Sequence, residues 1–390
     1  MSIPRFPKTR AAVLLVVVLF FVLAGATGAE VYDKKWFTSQ FTTFDKALNS
    51  GDGYSNMTND KASLTWGENW LLEAYLDMYE ATGDKRYIQK FMVHSQRVAN
   101  NSDKNLQRKD YKGRTRMGWS NTSYSKNHEP IVFLGHTGMI LYPLVKFSLM
   151  VKNRPELSEH QQMANRYQQM AESAIPDYEA QWRYDAKTGQ GNYWLEGDEP
   201  MTGVSRSTPL PFNGSLALGR VLVTLYRLTG KDMYRAKATA LATYFKTSLS
   251  VTKSGAYNWP YRKDLPKPPE DMSHGGTDVD FAVQAYRAGI VFSKADLEKF
   301  SKTLLAADKG GRLSMYVDGT DNQKAFADYT FARIVWLELV PVDCRPYKTA
   351  LDFVAKKLKI SKVVSPMVLL GIAKLAKYND LCGVKEPDKK

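Results

Sequence analysis

Cysteine is nearly absent from this chain: two of 390 residues, Cys344 and Cys382, both near the C-terminal end. Two distant thiols with no Cys or His at ligand spacing beside them carry no zinc-site pattern, and no metal is expected. In an oxidising compartment they would form one disulfide that ties down the C-terminal helices. No twelve-residue EF-hand loop occurs, which removes the usual calcium signature. No closely spaced pair of carboxylates stands out, and histidine is limited to five residues. Acid is also in deficit, with 40 Asp+Glu against 54 Lys+Arg.

The one long apolar run, 11–24, is too short for a comfortable membrane span and sits behind Arg5, Lys8 and Arg10. With the small residues Thr27-Gly28-Ala29 after it, residues 1–29 are expected to be a secretory leader. Without those three basic residues, 51 Lys+Arg face 40 Asp+Glu, a charge of about +11 on residues 30–390. An exported basic protein meets little nucleic acid, so an anionic polysaccharide is the expected partner, with a membrane surface as the other choice. A secreted or periplasmic monomer without a stable membrane span or cofactor is expected. The Asn-X-Ser/Thr sequons at Asn56, Asn100, Asn121 and Asn213 would be glycan acceptors in a eukaryotic secretory pathway.

What the chain does have is an internal repeat. LDMYEATGDKRYIQKFMVHSQRV and VTLYRLTGKDMYRAKATALATYF share an aromatic, a Thr-Gly and a tyrosine four residues after the glycine. Gly83 and Gly230 each fall where a helix needs a left-handed residue to end. Behind each, apolar positions recur at i, i+4, i+7 and i+11, one face of a helix. The unit is a helical hairpin, and such units need stacked neighbours to bury their faces. Inner and outer helices are expected at 64–80 with 85–99, 131–151 with 158–175, 212–228 with 233–248, 278–288 with 294–305, and 324–339 with 347–358. Residues 366–378 form a last helix and 36–48 an extra one at the front. The expected fold is therefore all-α, an α/α toroid of about six to seven antiparallel hairpins forming one domain.

In such a ring, one rim collects the N-termini of the inner helices, where free N–H groups and the helix dipole favour anions. His128, His136 and His274 fall at these starts, whereas His94 and His160 lie on outer helices. Residues 257–289 change character twice. Aromatic and basic residues give way to Pro266, Pro268 and Pro269, read as a loop, then to Glu270-Asp271-Met272-Ser273-His274 and a helix from about Asp278. Thr65 and Glu68 have the spacing of a capping box.

Tyr, His, Asn and Arg around a cleft suit β-elimination of a uronic acid polymer. Removing the C5 proton requires the adjacent carboxylate to be neutralised, which Asn, His and Arg donors can do without metal. Tyr261 is assigned as base and acid, with His274, Asn213 and Arg262 as neutralisers and His136 orienting the sugar. Trp66, Trp119, Trp194 and Trp259 are candidate stacking subsites. Glu68, Asn69, Asn127, His128, Arg206 and Asp271 are further candidate contacts at the same rim.

The pieces WGENWLLEAYLDMYEATGD, GHTGMILYPLVKF, PFNGSLALGRVLVTLYRLTGKDMY and NWPYRKDLPKPPEDMSHGGTDVDFAVQAYRAG resemble the α/α-toroid polysaccharide lyases that act on glucuronan and polymannuronate (alginate). The resemblance implies a lyase working with Tyr, His, Asn and Arg and needing no redox cofactor. The Asn-His pair of related alginate lyases would be Asn127-His128. Their arginine shortly before the catalytic tyrosine has no counterpart, which leaves Tyr124 and Tyr257 open as the base beside Tyr261. Three other functions fit the same ring. A glycoside hydrolase would draw a carboxylate pair from Glu68, Glu129, Asp271 and Asp278. A C5-epimerase would share the proton abstraction, and a non-catalytic polyanion-binding envelope protein would need neither.

Overall fold

The computed structural model describes residues 32–201, 207–321, 329–360 and 364–383. The expected leader at 1–29 and Arg206 lie outside the described residues.

The helices are α1 (Lys34–Ala47), α2 (Asn69–Thr82), α3 (Lys85–Asn100), the single turn α4 (Asp103–Leu106), α5 (Leu134–Asn153) and α6 (Gln161–Ala174). They continue with α7 (Phe212–Thr229), α8 (Asp232–Lys246), α9 (Met272–Arg287) and α10 (Lys294–Ala307). A 3-10 segment, Tyr329–Leu339, precedes α11 (Arg345–Ile360) and α12 (Pro366–Cys382). Three two-stranded hairpins decorate the connections: β1 (Trp182–Asp185) with β2 (Gln190–Tyr193), β3 (Ser250–Val251) with β4 (Tyr257–Asn258), and β5 (Pro260–Arg262) with β6 (Leu265–Pro269).

The inner elements pack as a closed ring in the order α2, α5, α7, α9, the 3-10 segment, α12 and back to α2. Outer helices α3, α6, α8, α10 and α11 each cover the inner element before them. The sixth pair joins the two ends of the chain, with α1 packed on α12. The front helix and the last helix, read separately from sequence, are one hairpin in space. The architecture is an α/α toroid.

Local chemistry explains the regularity. Gly83 and Gly230 both sit at φ +72°, the left-handed conformation that ends α2 and α7 and hydrogen-bonds back to Tyr79 and Tyr226. Helix α5 is buried almost all round, as an inner helix must be. It would satisfy the length and hydropathy of a membrane span, but 94% of that window is covered by the rest of the protein. At Gly138 a Cβ would lie 2.4 Å from the Leu218 nitrogen, so this glycine lets α5 and α7 touch backbone to backbone.

Two local expectations are corrected. The capping box at Thr65 and Glu68 does not form: Leu64–Glu68 is a wide π-helical turn, Thr65 N–H and Oγ1–H donate to Asn59 Oδ1, and Glu68 turns inward. The proline stretch is not a loop but strand β6, tolerated because a two-stranded ribbon leaves one edge unpaired. The cysteine pairing is present, with Cys344 and Cys382 bonded and their Cα atoms 5.4 Å apart.

The ring's interior is polar below the cleft. Lys374 is buried between Glu338 (2.5 Å) and Asp77 (3.3 Å), and Asp77 also meets Lys146 at 2.8 Å and Lys377 at 3.0 Å. Arg220 is buried against Asp280 at 2.8 Å and over the Tyr142 ring at 4.2 Å. Burial works against the charge on Asp77, yet the three lysines hold its carboxyl below the usual range.

Candidate active site

Helix α9 begins at Met272, six residues earlier than the sequence suggests. Asp271 is its N-cap and accepts from the Ser273 and His274 amides at 2.8 and 3.0 Å. The glycine pair therefore lies inside the first turns of the helix. A Cβ on Gly276 would come within 2.1 Å of Val335 Cγ2, so glycine there lets α9 settle on the 3-10 segment and aims His274 at the rim.

His274 Nδ1 lies 2.6 Å from Asp271 Oδ2 and 3.5 Å from Glu270 Oε1. Burial opposes a charge on this imidazole, but the hydrogen bonds and charges of the two acids outweigh it and raise its pKa well above 6.5. Glu270 is fully buried, and that burial pushes its carboxyl up to about 7. For Asp271 burial is outweighed by His274, and its carboxyl is lowered. The three residues each offer a ligand atom, all within 4.8 Å of one another, a spacing that could hold a metal ion. In the structure the same atoms form an ion-paired cluster.

Seven sequence-predicted residues line one cleft of about 570 Å³: Tyr261, Arg262 and His274 with Asn213, His136, Trp66 and Tyr124, whose ring lies edge-on to His136. Tyr261 stacks on His274, ring centres 5.9 Å apart. Burial, then Glu270 and Asp271, push its phenol above the ordinary tyrosine range. Asn213 is the second residue of α7, and its Oδ1 is buried without a hydrogen-bond partner. Arg262, on β5, is held by Asp264 through two hydrogen bonds of 2.8 and 2.9 Å. His136 has no charged group acting on it, and burial alone lowers its pKa to about 3, so it is neutral.

The other predicted contacts lie elsewhere. Trp119 and Trp259 are core residues, their indoles donating to the Val98 carbonyl at 2.8 Å and Asp278 Oδ2 at 3.0 Å. Glu68 and Asn69 are buried, and Glu68 is taken by His94 at 2.7 Å and by the Tyr54 amide. Asn127 and His128 are exposed on a turn where His128 adopts φ +57°, away from the cleft lining. Trp194 faces a separate hollow of about 400 Å³ with Arg183 and Lys112. Asp271 stands behind His274 and does not line the cleft. Tyr257, an alternative base, is buried and donates to Asp296 at 2.5 Å.

Sequence reading missed Trp70, Asn121 and Glu270. Trp70 follows Trp66 by one helical turn, with ring centres 6.2 Å apart, and that spacing was a usable signal. Asn121, read as a sequon, is buried and donates to His136 Nδ1 at 3.0 Å. A contact between a loop and a helix start leaves no periodic trace.

No model of a known family matches the chain, and no curated protein matches it by sequence. Solved structures do. A family 76 α-mannanase from Bacteroides thetaiotaomicron superposes with a TM-score of 0.58 at 15% identity, over 91% of this chain and 98% of that one. An α-1,6-mannanase of a Salegentibacter species, made inactive by replacing two adjacent aspartates and bound to α-1,6-mannotriose, gives 0.54 at 12% identity over 90% and 100%. An unsaturated glucuronyl hydrolase specific for heparin gives 0.55 at 12% identity over 90% and 99%. The toroid is a fold these carbohydrate-acting enzymes share with this chain.

Proposed function

We propose that this chain is a polysaccharide lyase that cleaves a uronic acid polymer of the glucuronan or polymannuronate type by β-elimination. The observation that carries the reading is the cleft lining. Its described residues include an arginine, two histidines, an asparagine and tyrosines and no carboxylate, while Glu270 and Asp271 sit behind His274 and Asp264 pairs with Arg262. A wall of cations and neutral donors suits a substrate that brings its own carboxylate. His274, held as imidazolium, with Asn213 and Arg262, neutralises that carboxylate and stabilises the enolate-like charge as the C5 proton leaves. Tyr261, packed on His274, handles the proton in flight, and its raised pKa favours delivery to the departing C4 oxygen. Trp66 and Trp70 supply apolar faces for sugar rings.

A second reading, a glycoside hydrolase, is supported by the enzymes that share the fold and by the adjacent acids Glu270 and Asp271. Their environments move their pKa values in opposite directions, the usual mark of an acid and a base. Against it, Glu270 is fully buried and Asp271 is occupied as a helix cap. The two readings part in one experiment. The mature protein is mixed with glucuronan, polymannuronate and polyguluronate, and ultraviolet absorbance of an unsaturated uronate is followed beside reducing ends. A lyase raises both signals, and Tyr261→Phe lowers the rate by about 10²–10⁴-fold. Reducing ends without absorbance, lost in Glu270→Gln, would establish the hydrolase instead.

A further inference from the structure

Helices α5, α7 and α9 each give their first turn to the cleft and their later turns to a second cavity, at the opposite mouth of the ring. This cavity measures about 820 Å³ and is completed by α2, the 3-10 segment and α12. None of its lining residues also lines the cleft.

Five Lys and Arg residues line the cavity against three Glu. The acids are already engaged. Glu338 holds Lys374 at 2.5 Å and Arg287 at 3.2 Å, Glu80 holds Lys377 at 2.6 Å, and Glu156 lies 3.7 Å from Arg154. Arg227 is left over: it is half-buried, and among the described residues no carboxylate forms an ion pair with its guanidinium. Burial, and then the like charge of Arg287, lowers its pKa. Arg227 stands in the last turn of α7 and Arg287 in the last turn of α9, where a cation answers the carbonyl end of the helix dipole. The dipole accounts for a cation in water at each helix end. It does not account for two guanidinium groups sharing one cavity against each other's charge. An anion between them would relieve both the repulsion and the lost hydration.

The walls also say what kind of anion fits. They offer no open face for a sugar ring, because Tyr142 and Tyr378 are both buried and Arg220 already covers the Tyr142 ring. Planar guanidinium forks match the oxygens of a tetrahedral oxyanion and bind them two at a time. A cavity of this size holds more than one such group. We infer that the far mouth of the ring is a binding site for a compact polyanion of the phosphate or sulfate type, recognised by Arg227 and Arg287 with Arg154 beside them. The site does not depend on the lyase reading. A ligand there ties the end of α7 to the end of α9, so it stabilises the ring without entering the cleft.

The test is calorimetric titration of the mature protein with inorganic phosphate, sulfate, tripolyphosphate and glucuronate, beside thermal unfolding with and without each anion. Tripolyphosphate is expected to bind one per chain, at least about tenfold more tightly than phosphate or sulfate, and to raise the unfolding temperature. Arg227→Gln is expected to lose at least about tenfold of that affinity, while Lys187→Gln, an exposed lysine on the β1–β2 hairpin, stays within about twofold. Without any anion, Arg227→Gln is expected to unfold at the parental temperature or above, because a buried repulsion has been removed. Preference for phosphate over sulfate, or the reverse, tells a phosphorylated ligand from a sulfated one, and either supports the site. Unchanged affinity in Arg227→Gln, or an equal loss in Lys187→Gln, would reduce the effect to diffuse attraction by a basic surface and overturn the inference. So would glucuronate binding more tightly than the other three, or no binding of any anion. An Arg227→Gln protein that unfolds at a lower temperature with no anion present would make this arginine a helix cap, which overturns it as well.

Discussion

Gly276→Ala is the substitution that most directly tests how His274 is aimed. The added methyl would sit 2.1 Å from Val335 Cγ2 and 2.8 Å from Val335 Cβ, where ordinary contact begins near 3.4 Å. Valine is stiff at χ1 and cannot swing aside, so α9 and the 3-10 segment must separate by about an ångström. Overpacking of this kind costs about 1–3 kcal/mol. Removing a glycine from a helix interior returns about 0.5–1 kcal/mol. The net expectation is a loss of about 1–2 kcal/mol in urea unfolding. Because His274 lies two residues away, a displacement of that size is expected to lower kcat by about 10²-fold. Adding Val335→Ala removes the nearer methyl but leaves its Cβ at 2.8 Å, so the double variant is expected to recover part of the rate, with coupling in the cycle. A Gly276→Ala protein with parental stability and turnover would refute the account of why a glycine stands two residues after His274.

Glu199 is buried, and that burial, with Glu196 nearby, raises its carboxyl to about 7. An acid with a raised pKa in the fold binds more protons there than in the unfolded chain. The parent protein therefore loses stability as pH rises from about 4.5 to 7, by at most about 3 kcal/mol at 1.36 kcal/mol per unit. Glu199→Gln is expected to match the parent at pH 4 and exceed it at pH 8 in denaturant titrations; the same stability difference from the parent at both pH values would contradict this. Lys374→Met strands Glu338 and Asp77, both buried. Losing one partner of a buried ion cluster costs about 3–5 kcal/mol, and the remaining Lys146, Lys377 and Arg287 place the expected loss at the lower end. Unchanged stability on unfolding by urea would show that the cluster does not depend on this lysine.

The ring was legible because its signals are periodic and local. The Thr-Gly turn repeats with its left-handed glycine, and inner helices such as α5 are apolar all round. What sequence could not resolve were contacts joining separate segments. Trp119 and Trp259 looked like exposed stacking platforms, yet large aromatics fill a core as readily as they line a cleft. Glu68 has the spacing of a cap, but His94 on the covering helix draws it inward. At the cleft, the type and number of candidates were readable from the inner-helix starts. The pairing of Tyr124 with His136 was not, because a loop reaches it through one amide.

The sixth hairpin, made from the first and last helices, sets the order in which this ring can close. Asp77 on α2 meets Lys377 on α12 across 300 residues of chain, and Lys34 meets Asp380 at 2.6 Å. Five hairpins can stack as each is completed, but the α2 flank stays open to water until the final helix arrives. Contacts this distant repay the loop entropy only at the end of folding. The seam thus holds contacts of very long sequence separation, such as Asp77 with Lys377, and the Cys344–Cys382 bond fastens the last helix beside it.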